Sequence, residues 1–353
     1  MMKALKISSG ILLLGLSLFQ VSCSSETIET KTESTENIYT SAEFEIREID
    51  LNSYKMLTEI EYPPAKNRSC EITSFQSLLR KNFEKLIEDP YFDVEPVFYL
   101  RDLHTKYVTH YIGPNYYGSD GQYDHLAYKR IRELQKFWQL DRQIYLNGQH
   151  TATLEDPQQL ADMIESFDRS VRNATEARIK ALHIIETYEK STQIPENTFF
   201  ALDVFTRSNG LLVISDGILE LLEESGIPGE IAFSGLLAHE WWHQAQFEYN
   251  QQWKSDYINL ENPELLRELE ADFAAAYFLG HKRGATYNWK RIESFFDMSY
   301  SSGDCFTESP GHHGTPAQRL KAAQSGFELA YSEKKKGKPG KPFEIHTAFL
   351  ESM

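Results

Sequence analysis

Apolar positions recur along this chain with two different periods. From Cys70 to Glu88 the set Ile72, Phe75, Leu78, Leu79, Phe83, Leu86 and Ile87 follows a 3.6-residue repeat, which predicts an amphipathic helix closed by Pro90. Leu126, Ile131, Leu134 and Trp138 predict another. Asp156-Pro157 reads as a cap and first-turn pair, opening a long helix to about Lys190 laced by Glu165–Arg169, Asp168–Arg172 and Glu176–Lys180 pairs. Residues 107–123 set Tyr111, Tyr116 and Tyr117 among glycines, a loop packed by its own rings. From Pro195 the period shortens. Phe199 to Phe205 and Leu211 to Ile214 predict two short strands around a Ser208-Asn209-Gly210 turn, and an exposed edge strand here could align an extended peptide. Ile218 to Glu224 then forms a brief helix, stopped by Gly226.

After Pro228-Gly229 comes a helix-compatible run that holds Ala238-His239-Glu240-Trp241-Trp242-His243. Four residues make about one helical turn, so His239 and His243 share a face and can bind one metal ion. Glu240 can then act as general base toward a water on that metal. Such a run arises by chance in about one chain in a hundred, so the next helix carries much of the weight. After a short loop, Asn262-Pro263 predicts a capped start for Glu264 to Leu279, with Gly280 as the stop. Glu268 and Asp272 are again four apart: one can ligate zinc while the other orients a ligating histidine. Glu270 points about 160° away from that pair and is the weaker choice. Strands, short helix, histidine helix and carboxylate helix together predict an α+β, predominantly helical fold with a small β-sheet.

Charge and the N-terminus narrow the setting. The net charge of −16 over 353 residues argues against nucleic acid as a partner. Lys3 and Lys6 precede an apolar run from Ile11 to Val21, which reads as a signal peptide over residues 1–22 and is short for a membrane span. Val21-Ser22-Cys23 resembles the lipobox of bacterial lipoproteins, where the cysteine carries lipid, although Gln20 stands where leucine is usual. Plain secretion with cleavage nearby is the alternative. Residues 23–60 read as a flexible tether, 61–190 as a mainly helical N-terminal region, 191–330 as the core of the site and 331–353 as a C-terminal tail. With Cys23 lipidated, Cys70 and Cys305 remain, either a disulfide or two separate thiols.

Residues Tyr287 to Met298 predict another helix. Then Gly311-His312-His313-Gly314-Thr315-Pro316 leads into a last one carrying Arg319. Adjacent histidines beside glycines suit a loop at the mouth of a site, where a histidinium or arginine could stabilise an oxyanion. Lys334 to Lys341 holds five lysines, a composition typical of a solvated tail.

The segment from about Pro195 to Gly326 resembles gluzincin-type metallopeptidases. It is similar to the CAAX-prenyl-endopeptidase-like family, with its periplasmic lipoprotein members, and to the neutral zinc metallopeptidases. The strand and short-helix lead-in, the pairing of His239-Glu240-Trp241-Trp242-His243 with Glu268-Leu269-Glu270-Ala271-Asp272, and His313 six residues before Arg319 carry the likeness. The resemblance implies a zincin-like catalytic core with one Zn²⁺ on His239, His243 and Glu268. It implies Glu240 as catalytic base, Asp272 orienting a ligand, and His313 and Arg319 acting near the substrate. Gly314 stands where the CAAX-type relatives usually have proline. The expectation is an exported zinc metallopeptidase acting on peptide or protein substrates at the cell envelope, held to the membrane by lipid at Cys23. A metal-stapled envelope binding or chaperone-like protein and a zinc amidase on cell-wall peptides are the competing expectations.

Overall fold

The computed structural model describes residues 70–258, 262–305, 307, 312–333 and 337–353. The expected signal peptide, Cys23 and the tether lie outside the described residues. Helices α1 (Ser74–Glu88), α2 (Val94–His110) and α3 (Asp124–Trp138) come first, followed by strand β1 (Tyr145–Gln149). Helices α4 (Pro157–Phe167) and α5 (Ala174–Tyr188) lead to strands β2 (Val204–Thr206) and β3 (Leu211–Ser215). Then follow α6 (Asp216–Glu224), α7 (Gly229–Glu248), α8 (Asn250–Ile258), α9 (Pro263–Gly280), α10 (Trp289–Ser301), α11 (Pro316–Ser332) and α12 (Pro342–Ser352). The fold is α+β and predominantly helical, as the periodicity predicts. Among the described residues no helix is long and apolar enough to cross a membrane.

Local chemistry explains most boundaries. Thr73 and Gln76 form a capping box that opens α1. The single long helix expected from Asp156 is instead two. Asp156 caps α4, but at Asp168 the chain turns, and that carboxylate takes Ser170, Tyr99 and Lys180 as partners. Asn173 then caps α5, which packs back against α4. A side chain that satisfies a new set of donors competes with helix continuation, so the expected Asp168–Arg172 pair is replaced by Asp168–Lys180.

The sheet has the order β1-β3-β2, with β1 parallel and β2 antiparallel to β3. Strand β1 pairs Tyr145 to Gln149 with Leu211 to Ser215, although the residue pattern predicts no strand at 145–149. The strand expected over Phe199–Phe205 is mostly a 3₁₀ turn, Thr198–Ala201, with Asn197 accepting from the Phe199 amide; extended pairing begins only at Val204. Gly210 at φ 98° makes the expected turn between β2 and β3, and a Cβ there would strike the Gln143 carbonyl. Among the described residues no open sheet edge invites a peptide in the expected way. All of β2 is buried, and the 115–117 segment binds the outer side of β1 through Asn115 to Gly148 N and Tyr117 to Leu146 O.

The main apolar core runs from Phe75 in α1 to Phe349 in α12, with a small second cluster of Val108, Phe205, Leu211 and Val213 on the sheet. A boundary at 190 would therefore cut through both the sheet and the core. Residues 331–353 are not a tail in full, because α12 buries Ile345, His346 and Phe349. Helix α8 occupies the connection read as loop. At the end of α9, Gly280 keeps helical geometry and serves packing: a Cβ there would meet Phe327 of α11 at 2.6 Å, and one at Gly326 would meet the Phe273 carbonyl. These two glycines let α9 and α11 approach closely, which brings Arg319 over Asp272. A disulfide joins Cys70 to Cys305 and ties the start of the described chain to the loop before α11.

Candidate metal centre

Helix α7 is buried around its whole circumference from Leu237 to Gln246, the signature of a central rather than a surface helix. Trp242 packs edge-on against Trp138, and Gly235 lets α10 pack its Met298 and Phe295 side chains close against α7. Burial on every side fixes the direction of His239, Glu240 and His243, none more than 4% exposed. Helix α9 opens as expected, with Asn262 accepting from the Leu265 amide and Pro263 in the first turn. It places Glu268 and Asp272 against the same face of α7.

Three donor groups converge. The Nε2 atoms of His239 and His243 are 3.2 Å apart, and Glu268 reaches them with Oε2 at 3.3 Å and Oε1 at 3.4 Å. A tetrahedral ion with bonds of roughly 2.0–2.1 Å sets its ligand atoms about 3.3–3.4 Å apart, so these separations suit one small divalent cation. Glu240 also has an oxygen within 4.8 Å of both imidazoles, but Glu268 lies nearer and is the better third ligand. Both oxygens of Glu240 are buried without a hydrogen-bond partner among the described residues.

Each histidine is steered from behind. His239 Nδ1 lies 3.0 Å from Asp272 Oδ1, and Arg319 donates to that carboxylate through Nε at 2.6 Å and a terminal nitrogen at 2.9 Å. His243 Nδ1 lies 2.8 Å from Gln246 Oε1. With both Nδ1 protons donated outward, the Nε2 lone pairs are left for a cation. Gln246 is not among the residues the motif singles out, although its i+3 position from His243 on one helix places it within reach.

The electrostatics agree. Burial opposes charge on His239, yet Asp272 and Glu268 outweigh it and push its pKa up to about 10. Burial, aided by His239, pushes His243 down to about 4. Burial also works to raise Glu268, but His243, His313 and His239 hold it well below the usual carboxylate range. For Glu240 burial wins, with the Glu268 charge adding to it, and its pKa rises to about 8. The chain alone therefore keeps a proton on His239 between two carboxylates, where a bound cation would displace it.

The mouth loop is only partly as expected. His313 is half-buried and near enough to bear on His243 and Glu268, while its amide donates to Asp304. His312 is buried against Asp304 at 2.6 Å. Arg319 is 6% exposed, and two of its nitrogens donate to Asp272, which in turn lies against His239. Gly314 sits at φ 108°, a backbone conformation closed to proline. Glu270 is buried on the side of α9 away from the three donors, in contact with Gln246. Compared with models of protein families, with curated proteins and with solved structures, the chain matches none.

Proposed function

We propose that this chain is a zinc-dependent metallopeptidase with a zincin-like core, resembling the CAAX-prenyl-endopeptidase-like and neutral zinc metallopeptidases. It is exported to the cell envelope, with Cys23 as its lipid anchor, and acts on peptide or protein substrates there. The observation that carries this reading is the convergence of His239, His243 and Glu268 at ligand spacing beside a buried Glu240 that has no hydrogen-bond partner among the described residues. The donor set of two imidazoles and one carboxylate is that of an open, hydrolytic zinc site, whereas purely structural sites close their fourth position with a further cysteine or histidine. Zinc held there supplies Lewis acidity toward a water and a scissile carbonyl.

The chain's own groups do the rest. Glu240, whose pKa burial raises to about 8, takes a proton from the attacking water at a carboxylate oxygen and returns it to the leaving amine. Asp272 and Arg319 keep His239 turned inward, and Gln246 does the same for His243. In this reading His313, half-buried on the loop before α11, acts near the substrate. With the purified chain and casein as substrate, cleavage should stop with a zinc chelator and return with added zinc. Glu240→Gln should retain zinc and lose turnover by about 10²–10⁴-fold. A Glu240→Gln enzyme that cleaves like wild type, or zinc-loaded wild type that leaves protein substrates intact, would contradict the reading.

A further inference from the structure

The support behind His243 does not end at Gln246. Both hydrogens of the Gln246 amide nitrogen are used, one on the Arg267 carbonyl at 3.0 Å and one on Glu270 Oε2 at 2.9 Å. Turning the amide over would set its oxygen against a carbonyl and a carboxylate, so Oε1 must face His243 and accept from Nδ1. Glu270 is wholly buried and is itself held at both oxygens: Oε2 also accepts from the Tyr257 hydroxyl, and Oε1 lies 2.8 Å from His346 Nδ1. His346 belongs to α12. Its other nitrogen lies 3.2 Å from Asp256 Oδ2, and its ring stacks on Trp253 at 4.3 Å and 9°.

We propose that α12 is a working part of the metal site: through Glu270 and Gln246, His346 fixes the tautomer and ring direction of His243. This inference rests on the zinc reading above and extends it to a helix at the far end of the chain. Each link is directional. His346 donates to Glu270, Glu270 accepts from Gln246, and Gln246 accepts from His243, which leaves the His243 Nε2 lone pair for the cation. If Glu270 loses its donor at Oε1, the carboxylate can turn, Gln246 is released, and His243 can present an N–H where a lone pair is needed. Breaking contacts behind a ligating histidine typically costs about 10–100-fold in metal affinity. His346 is thus a positioning residue.

Three substitutions separate this role from simple packing. In His346→Asn the amide nitrogen stands near the place of Nδ1, so the bond to Glu270 survives. In His346→Gln it stands near Nε2, so the bond to Asp256 survives instead. His346→Phe keeps the stacked ring and loses both. Zinc affinity, read by competition with a chelator, should fall about 10–100-fold in His346→Gln and His346→Phe and stay close to wild type in His346→Asn. Long-range nitrogen–proton spectra of the zinc-free wild type should place the His243 proton on Nδ1, a readout that needs no variant to fold. Wild-type affinity in all three variants, or a His243 proton on Nε2, would overturn the inference and leave the zinc reading standing. A wild-type chain that takes up no zinc would take both down.

Discussion

Two buried histidine pairs among the described residues make a comparison, and of these the first alone has the form of a site. In the first, His239 and His243 turn their Nε2 atoms toward each other at 3.2 Å, and Glu268 closes the triangle. In the second, beside the sheet, the rings have separate partners: His104 Nδ1 meets the Phe200 carbonyl at 2.8 Å, and His150 Nδ1 meets Asp216 at 2.7 Å with its ring stacked on Tyr116. Both pairs are buried and both have carboxylates near. Burial and a neighbouring acid therefore do not distinguish a reactive centre from structural polar packing. Convergence of lone pairs, with every opposite nitrogen tied back, does.

The sharpest way to break this contrast is to remove one acid from each cluster. Glu240→Gln should lower turnover by about 10²–10⁴-fold, while Asp216→Asn should alter stability and leave turnover intact, as steady-state assays on both variants will show. Equal loss of turnover in the two would erase the distinction. Next in size is Arg319→Met. It leaves Asp272 buried without its guanidinium, and removal of one partner from a buried ion pair costs about 3–5 kcal/mol. Denaturant unfolding should register that loss, accompanied by a weaker zinc affinity because His239 is less well held.

The smallest effect belongs to the second cluster. Burial pushes His104 from its ordinary 6.5 down to about 4, even though the Phe200 carbonyl and Asp203 favour its charged form. The unfolded chain thus takes up a proton on this ring at higher pH than the folded one. The stability His104 contributes as a neutral ring is present above pH 6.5 and is lost as pH falls through about 4. Melting temperatures measured from pH 7 to 4 should decline, and His104→Asn, which retains a donor for the Phe200 carbonyl, should flatten that decline. An unchanged slope in the variant would assign the acid lability elsewhere.

How much of this was legible in the sequence follows from the range of the forces involved. The two site helices, the Asn262 cap and the pairing of Glu268 with Asp272 rest on local spacing, and all can be read from the residues. Strand β1 could not be, because Tyr145-Leu146-Asn147-Gly148-Gln149 lacks β-branched residues and is a strand through its pairing with β3, more than sixty positions away. The break at Asp168 likewise depends on Tyr99 and Lys180 reaching one carboxylate. The contact of Arg319 with Asp272 depends on the close approach of α9 and α11 through Gly280 and Gly326, which has no signature in one dimension. Helix α12 was hidden by the lysines and glycines before it, whose composition says nothing about the burial of Ile345 and Phe349.

Metal stoichiometry of the purified chain, read by elemental analysis after exhaustive dialysis against zinc-free buffer, tests the central claim most directly. Wild type and Glu240→Gln should each retain one zinc per chain, while His243→Ala and Glu268→Ala should lose it. A wild-type chain without zinc, or a Glu268→Ala chain that holds zinc as tightly as wild type, would contradict a centre built from His239, His243 and Glu268.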